Sequence, residues 1–217
     1  MVADLAPQFD CEIAGIVDPQ SPSHSGALAD DRWRGRVDVA IDFTYPDAVR
    51  SNVETLARLG ISSVVGTTGW AADEPAVRTA VAGSAIGVVV APNFSVGVVV
   101  FEAIVSRAAG LLASRPEFGA FLHEAHHAAK KDAPSGTALL LEQGMRDAGY
   151  TRPIDVSSTR AGYLPGTHTV GFDGPAETIV LTHTARDRTA FARGALTAAR
   201  WVHGRRGWFT MRDVLGV

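Results

Sequence analysis

Apolar residues cluster in short runs along the first half of the chain. Val, Ile and Ala dominate residues 11–18, 37–43, 61–65 and 86–91. Each run is too short for a helix and nearly continuous, the pattern of a strand buried on both faces. Between them, residues 46–59 and 73–81 carry apolar positions at helical spacing, with Pro46 suited to a first turn and Gly60 to a stop. Strand and helix in alternation predict a parallel sheet covered by helices on both sides. Residues 1–7 read as the tail of a helix, and 19–27, rich in Ser, Pro and Gly, as a loop.

After residue 97 the rhythm changes. Residues 98–112 read as a long helix, 118–124 as a strand, and 137–148 as a second helix. Residues 155–160, 167–172 and 177–184 then read as antiparallel strands, with turns at Leu164-Pro-Gly166 and Asp173-Gly-Pro175. Residues 190–203 read as a closing helix. The expected fold class is α/β, a Rossmann-like parallel sheet joined to an α+β region with an open mixed sheet.

Composition narrows the class. The 217 residues are 46% hydrophobic, enough to bury a core in one or two domains. With 20 Lys+Arg against 23 Asp+Glu, no basic excess points to nucleic acid. No stretch approaches the roughly 20 apolar residues of a membrane span, and no secretory signal opens the chain. Cys11 stands alone, so no internal disulfide forms; it reads as a small strand residue. These features together imply a cytoplasmic protein.

The chemistry gathers in residues 124–137, Glu-Ala-His-His-Ala-Ala-Lys-Lys-Asp-Ala-Pro-Ser-Gly-Thr. Ser-Gly-Thr before an apolar run is a helix start, where free N–H groups and the dipole end attract an anion. His126 and His127 offer protons near neutral pH, and Lys130 adds positive charge. A pocket for a carboxylate-bearing small molecule follows. A rival reading uses the same letters, because His123-Glu124-x-x-His127 matches the zinc-protease helix motif. That requires a helix through His127 and a third ligand, which Lys130 and Ala133 do not supply. A solvated polar loop without chemistry is the third option.

Loops after the strands carry further candidates. Gly66-Thr67-Thr68-Gly69 follows the third run and Ala91-Pro92-Asn93-Phe94-Ser95 the fourth. Each combines close backbone approach with short hydrogen-bonding groups, or is simply a turn. Asp18 ends the first run, placed to accept from ribose hydroxyls or to open a turn before Pro19.

Residues 124–138 resemble the central motif of the dihydrodipicolinate reductase family, with all but three positions specified. Gly-Thr-Thr-Gly, Ala-Pro-Asn-Phe-Ser and Asp42-Phe-Thr44 resemble other segments of that family, in its order, as does the tail at 209–215. The resemblance implies reduction of 4-hydroxy-tetrahydrodipicolinate, by way of dihydrodipicolinate, with NADH or NADPH, in lysine and diaminopimelate synthesis. It implies His126 and Lys130 in proton transfer. His127, Gly136 and Thr137 would hold substrate, and Gly66, Thr67, Thr68, Ala91, Pro92, Asn93 and Phe94 the cofactor, to which Asp18, by its position at the end of the first run, adds a ribose acceptor. Glu124 and Asp132 read as structural partners of the cations. No metal is implied. Residues 1–95 with 188–217 would form the dinucleotide-binding domain, and 96–187 the substrate and oligomerisation domain of a homotetramer.

One departure stands out. The family opens with a strand and a Gly-x-x-Gly-Arg-Met-Gly-like loop, and no glycine precedes Gly15 here. Without that interior strand, residues 11–17 and 37–43 would flank a gap of about 10 Å. The expectation is a misplaced or truncated start, with weak cofactor binding if the chain is whole; a non-catalytic remnant is the extreme case.

Overall fold

The structure, a computed structural model, describes residues 1–21, 24 and 26–217. The chain forms two compact units, Met1–Val96 with Thr189–Val217, and Gly97–Arg188.

The first unit opens with helix α1 (Val2–Leu5) and a 3-10 turn, Ala6–Phe9. Strand β1 (Val39–Asp42), helix α2 (Pro46–Leu59), strand β2 (Ser62–Val65), helix α3 (Glu74–Val81) and strand β3 (Gly87–Val90) follow in strict alternation. Helix α2 buries Val49, Val53 and Leu56 at helical spacing, and Gly60 ends it at φ 75°. The sheet runs β1-β2-β3-β8, all parallel, where strand β8 (Gly207–Phe209) lies near the end of the chain. Helix α6 (Thr189–Val202) packs on the sheet and α7 (Met211–Leu215) closes the unit.

One expectation fails in this unit, and one strand forms where none is expected. Residues 11–18 do not form a strand: Cys11 bonds back to Ala6, Asp18 bonds to His24, and Ile13 and Ile16 are 41% and 47% exposed. A β-run is stable only on a ladder, and the described sheet offers it none. Conversely, β8 was not legible as a strand; three residues acquire that state by pairing with β3. Of the 19–27 loop, Pro22, Ser23 and Ser25 lie outside the described residues.

The second unit begins with helix α4 (Val96–Leu112), whose first residue belongs to the first unit. Strand β4 (Gly119–His126), helix α5 (Gly136–Asp147), and strands β5 (Ile154–Arg160), β6 (Thr167–Asp173) and β7 (Thr178–Thr184) complete it. The sheet order is β5-β4-β6-β7. Strand β5 pairs with β4 in parallel, against the antiparallel expectation, because α5 is a crossover that returns the chain to the starting edge. The pairs β4·β6 and β6·β7 are antiparallel as expected. Phe101 and Val105 of α4, Leu141 and Met145 of α5, and Leu122, Val170 and Phe172 of the sheet form the core. No helix among the described residues is long and apolar enough to cross a membrane.

Candidate active site

Strand β4 runs through residue 126, and side chains alternate along it. Ala120, Leu122 and Glu124 therefore face the core, while His123 faces away and meets Ser157 Oγ at 3.0 Å. His123 and Glu124 on opposite faces of a strand overturn the zinc-helix reading, which needs residues 123–127 on one turn of helix.

Glu124 is completely buried and is the hub of the site. Arg160 on β5 grips it with two bonds, Nη1 to Oε2 at 3.0 Å and Nη2 to Oε1 at 2.6 Å. Oε2 also meets Nδ1 of His126 in a hydrogen bond, and Oε1 accepts the Ser135 N–H at 3.3 Å. Burial opposes the charge, but the bonds from Arg160, Ser158 and His126 outweigh it and hold the carboxyl at about 2.

Ser135 caps helix α5, its Oγ accepting the Ala138 N–H at 3.2 Å. The same Oγ lies 3.0 Å from Nε2 of His168, which directly faces Glu124 across β4 and β6. Burial, and next the neighbouring His126, push the His168 imidazole down to about 4, so it is neutral at neutral pH. His183 continues the same transverse row on β7, and burial lowers it too. Ligand-type atoms of Glu124, His126 and His168 lie within 4.8 Å of one another. A guanidinium already on the carboxylate opposes a cation there.

The loop between β4 and α5 carries the remaining candidates. His127 and Gly136 are exposed, and Thr137 and Lys130 half-buried. The Lys130 ammonium meets both oxygens of Asp132, at 2.8 and 2.9 Å. That contact, ahead of a small burial cost and of backbone N–H groups at Asp132 and Gly136, lowers the Asp132 carboxyl. Arg160 also bonds the Asp132 carbonyl at 2.5 Å, tying the loop to the hub. Sequence reasoning missed Arg160 and His168, whose roles exist only through strand register.

In the first unit, the candidate cofactor loops lie at the carboxyl ends of β2 and β3, where open α/β sheets bind ligands. Thr68 and Pro92 are exposed. Thr67 turns inward: its hydroxyl accepts the Thr44 N–H at 2.8 Å and bonds the buried Asp42 at 3.2 Å. Asn93 Oδ1 accepts the Ser95 N–H, while Ala91 and Phe94 are buried. Gly66 leaves room for the Phe43 ring, which an ideal Cβ would meet at 2.1 Å. Asp18 accepts the Gln20 N–H at 2.9 Å, holding a turn. Phe43 and Thr68 are exposed at this end of the sheet, and the Phe43 ring takes the space beside Gly66. A glycine-rich pyrophosphate cradle is not found among the described residues.

An open parallel α/β unit and a mixed-sheet unit with an acid–base cluster, in one chain, define a two-unit dinucleotide-dependent oxidoreductase. Family models described as dihydrodipicolinate reductase, N-terminus and C-terminus, match residues 11–94 and 97–215. The chain belongs to the dihydrodipicolinate reductase family. A 4-hydroxy-tetrahydrodipicolinate reductase of Rhodopseudomonas palustris (strain TIE-1) is 41% identical over 218 residues, 90% of this chain and 79% of the relative. One from Methanoregula boonei (strain DSM 21154 / JCM 14090 / 6A8) is 38% identical over 235 residues, 98% and 91%. The solved structure of dipicolinate-bound dihydrodipicolinate reductase from Paenisporosarcina sp. TG-14 superposes with a TM-score of 0.83 at 21% identity, over 98% of this chain and 94% of that one. That likeness concerns the fold.

Proposed function

We propose that the chain catalyses the NADH- or NADPH-dependent reduction of 4-hydroxy-tetrahydrodipicolinate to tetrahydrodipicolinate, a step of lysine and diaminopimelate synthesis. The observation that carries the reading is the Glu124 carboxylate, which joins the His126 imidazole to the first residue of the α5 cap. A proton-transfer group and an anion-binding helix start thereby share one anchor.

The 4-hydroxy compound loses water to give a cyclic imine dicarboxylate. Nicotinamide, when bound, supplies hydride to the conjugated ring. His126 and Lys130 are the two candidates to give the enamine so formed its one proton. Gly136 and Thr137 take a substrate carboxylate at the helix start, with His127 beside them. In the first unit, which we assign to the dinucleotide, Gly66, Thr67 and Thr68 and the segment Ala91, Pro92, Asn93, Phe94 would position the nicotinamide half through backbone groups and the Thr68 hydroxyl. Asp18 would accept from a ribose. The second unit is assigned to substrate binding and assembly. A homotetramer built on the outer face of the mixed sheet is supported by the exposed Val180 and by the hydroxyl row Ser157, Thr169 and Thr182. The expected compartment is the cytoplasm.

The test is a spectrophotometric assay in which dihydrodipicolinate synthase supplies fresh substrate to purified protein. Oxidation of NADH or NADPH that depends on substrate supports the reading. Absence of oxidation in folded protein with both cofactors at saturating concentration overturns it.

A further inference from the structure

The proton-transfer reading uses Glu124 only as an anchor and gives Arg160, which grips it, no task. We propose that Glu124 and Arg160 are positioning residues: together they fix the ring orientation and tautomer of His126 and the placement of the α5 cap, leaving Nε2 of His126 as the working atom. The inference rests on His126 as a proton-transfer group and deepens that reading.

Four bonds define the arrangement. The planar guanidinium fork engages both oxygens of Glu124, and it can do so in one orientation only. The carboxylate plane is thereby set. Oε2 then takes the His126 ring and Oε1 the Ser135 N–H, with Ser158 a further donor to the carboxylate. An ionised carboxylate only accepts, so His126 must carry its proton on Nδ1 to bond there. Nε2 is then the nitrogen that exchanges a proton, as in histidines oriented by an acid elsewhere.

The surroundings of Nε2 agree. An ideal Cβ on Gly166 would fall 3.2 Å from it, so glycine at this position keeps the atom clear. Besides the carbonyl of its neighbour Thr159, Arg160 reaches the Asp132 carbonyl, in the loop that carries Lys130. A single arginine on β5 therefore organises a residue of β4, the loop beyond it and the start of α5. His168 supports the other side, its Nε2 against Ser135 Oγ. It is neutral, so it adds no competing positive charge beside His126.

The experiment uses the full chain with 15N-labelled histidine, the His126 signals being assigned by their loss in His126→Asn. Spectra are recorded where the imidazoles give neutral-ring signals, with no substrate present. The expected result is the Nδ1–H pattern in the wild type and a mixed or reversed pattern in Glu124→Gln. Arg160→Lys, which keeps the charge without the fork, should show the same loss in weaker form. In the reductase assay Glu124→Gln should lower kcat by about 10²-fold with the KM for NADH unchanged. An Nε2–H pattern in the wild type overturns the proposal, as does an unchanged Nδ1–H pattern in Arg160→Lys and Glu124→Gln. If Glu124→Gln does not fold, the wild type and Arg160→Lys decide. The tautomer is read without turnover, so an inactive wild type with the Nδ1–H pattern would sink the reductase reading and leave the positioning pair standing.

Discussion

The main-chain carbonyl of Phe94 occupies the space that a β-carbon on residue 194 would need. An ideal Cβ on Gly194 falls 1.6 Å from that oxygen and 2.7 Å from its carbon. Helix α6 thus reaches the 91–94 loop by omitting a side chain, and the loop rests on the helix backbone. Gly194→Ala must push the loop off the helix. The expected outcome is a loss of about 2 kcal/mol in unfolding free energy and weaker NADH binding. Denaturant titration and cofactor fluorescence measure the two effects. Unchanged cofactor affinity would remove the loop from the cofactor site.

Lys130 is half-buried and paired with Asp132. Lys130→Ala is expected to cut turnover by about 10²-fold or more with the fold intact. Steady-state kinetics beside a circular dichroism spectrum check it, and near-normal turnover would take Lys130 out of proton transfer.

Asp132 engages the Lys130 ammonium and, less strongly, the Gly136 N–H, two groups assigned to the substrate, one in proton transfer and one at a carboxylate. The side chain therefore competes with substrate for the same donors. Asp132→Asn should tighten binding of a dicarboxylate inhibitor such as dipicolinate, by roughly 1 kcal/mol if one exposed ion pair is at stake. Calorimetric titration reads the change. Weaker binding would mean that Asp132 orients Lys130 rather than occupying it.

His168 predicts a pH dependence. Its folded-state value of about 4 lies below its ordinary 6.5, so the unfolded chain takes up the proton first as pH falls. Stability attached to His168 is whole above 6.5 and drains away down to about 4. Glu124, lowered to about 2, loses its share in the more acidic window below 4.5. Melting temperatures between pH 6.5 and 4.5 should fall more steeply for wild type than for His168→Gln. Parallel slopes would contradict a buried neutral imidazole.

Local signals on the chain account for much of this architecture. Pro46 and Gly60 bound α2 as their chemistry dictates, and Ser135 caps α5 from within the Ser-Gly-Thr motif. What depended on distant partners was not legible. The Ile-rich segment near Ile13 has strand composition and no ladder, whereas Gly207–Phe209 lacks a strong strand signal and pairs with β3. Glu124 was legible as a partner for cations, but its cation is Arg160, 36 residues away and adjacent only through the parallel β4·β5 register. His168 lies in an ordinary-looking strand and meets Glu124 only because β6 runs antiparallel to β4. The zinc motif matched in letters and failed on periodicity.

The alternation along Gly119–His126 makes residue counting a chemical constraint. Connections outside the strands can grow or shrink by any number of residues without moving Glu124. Within 122–126, a single insertion or deletion would reverse parity, turning a carboxylate outward and an alanine or histidine into its place beneath Arg160. Length variation among homologous chains should therefore spare this stretch or arrive there in twos.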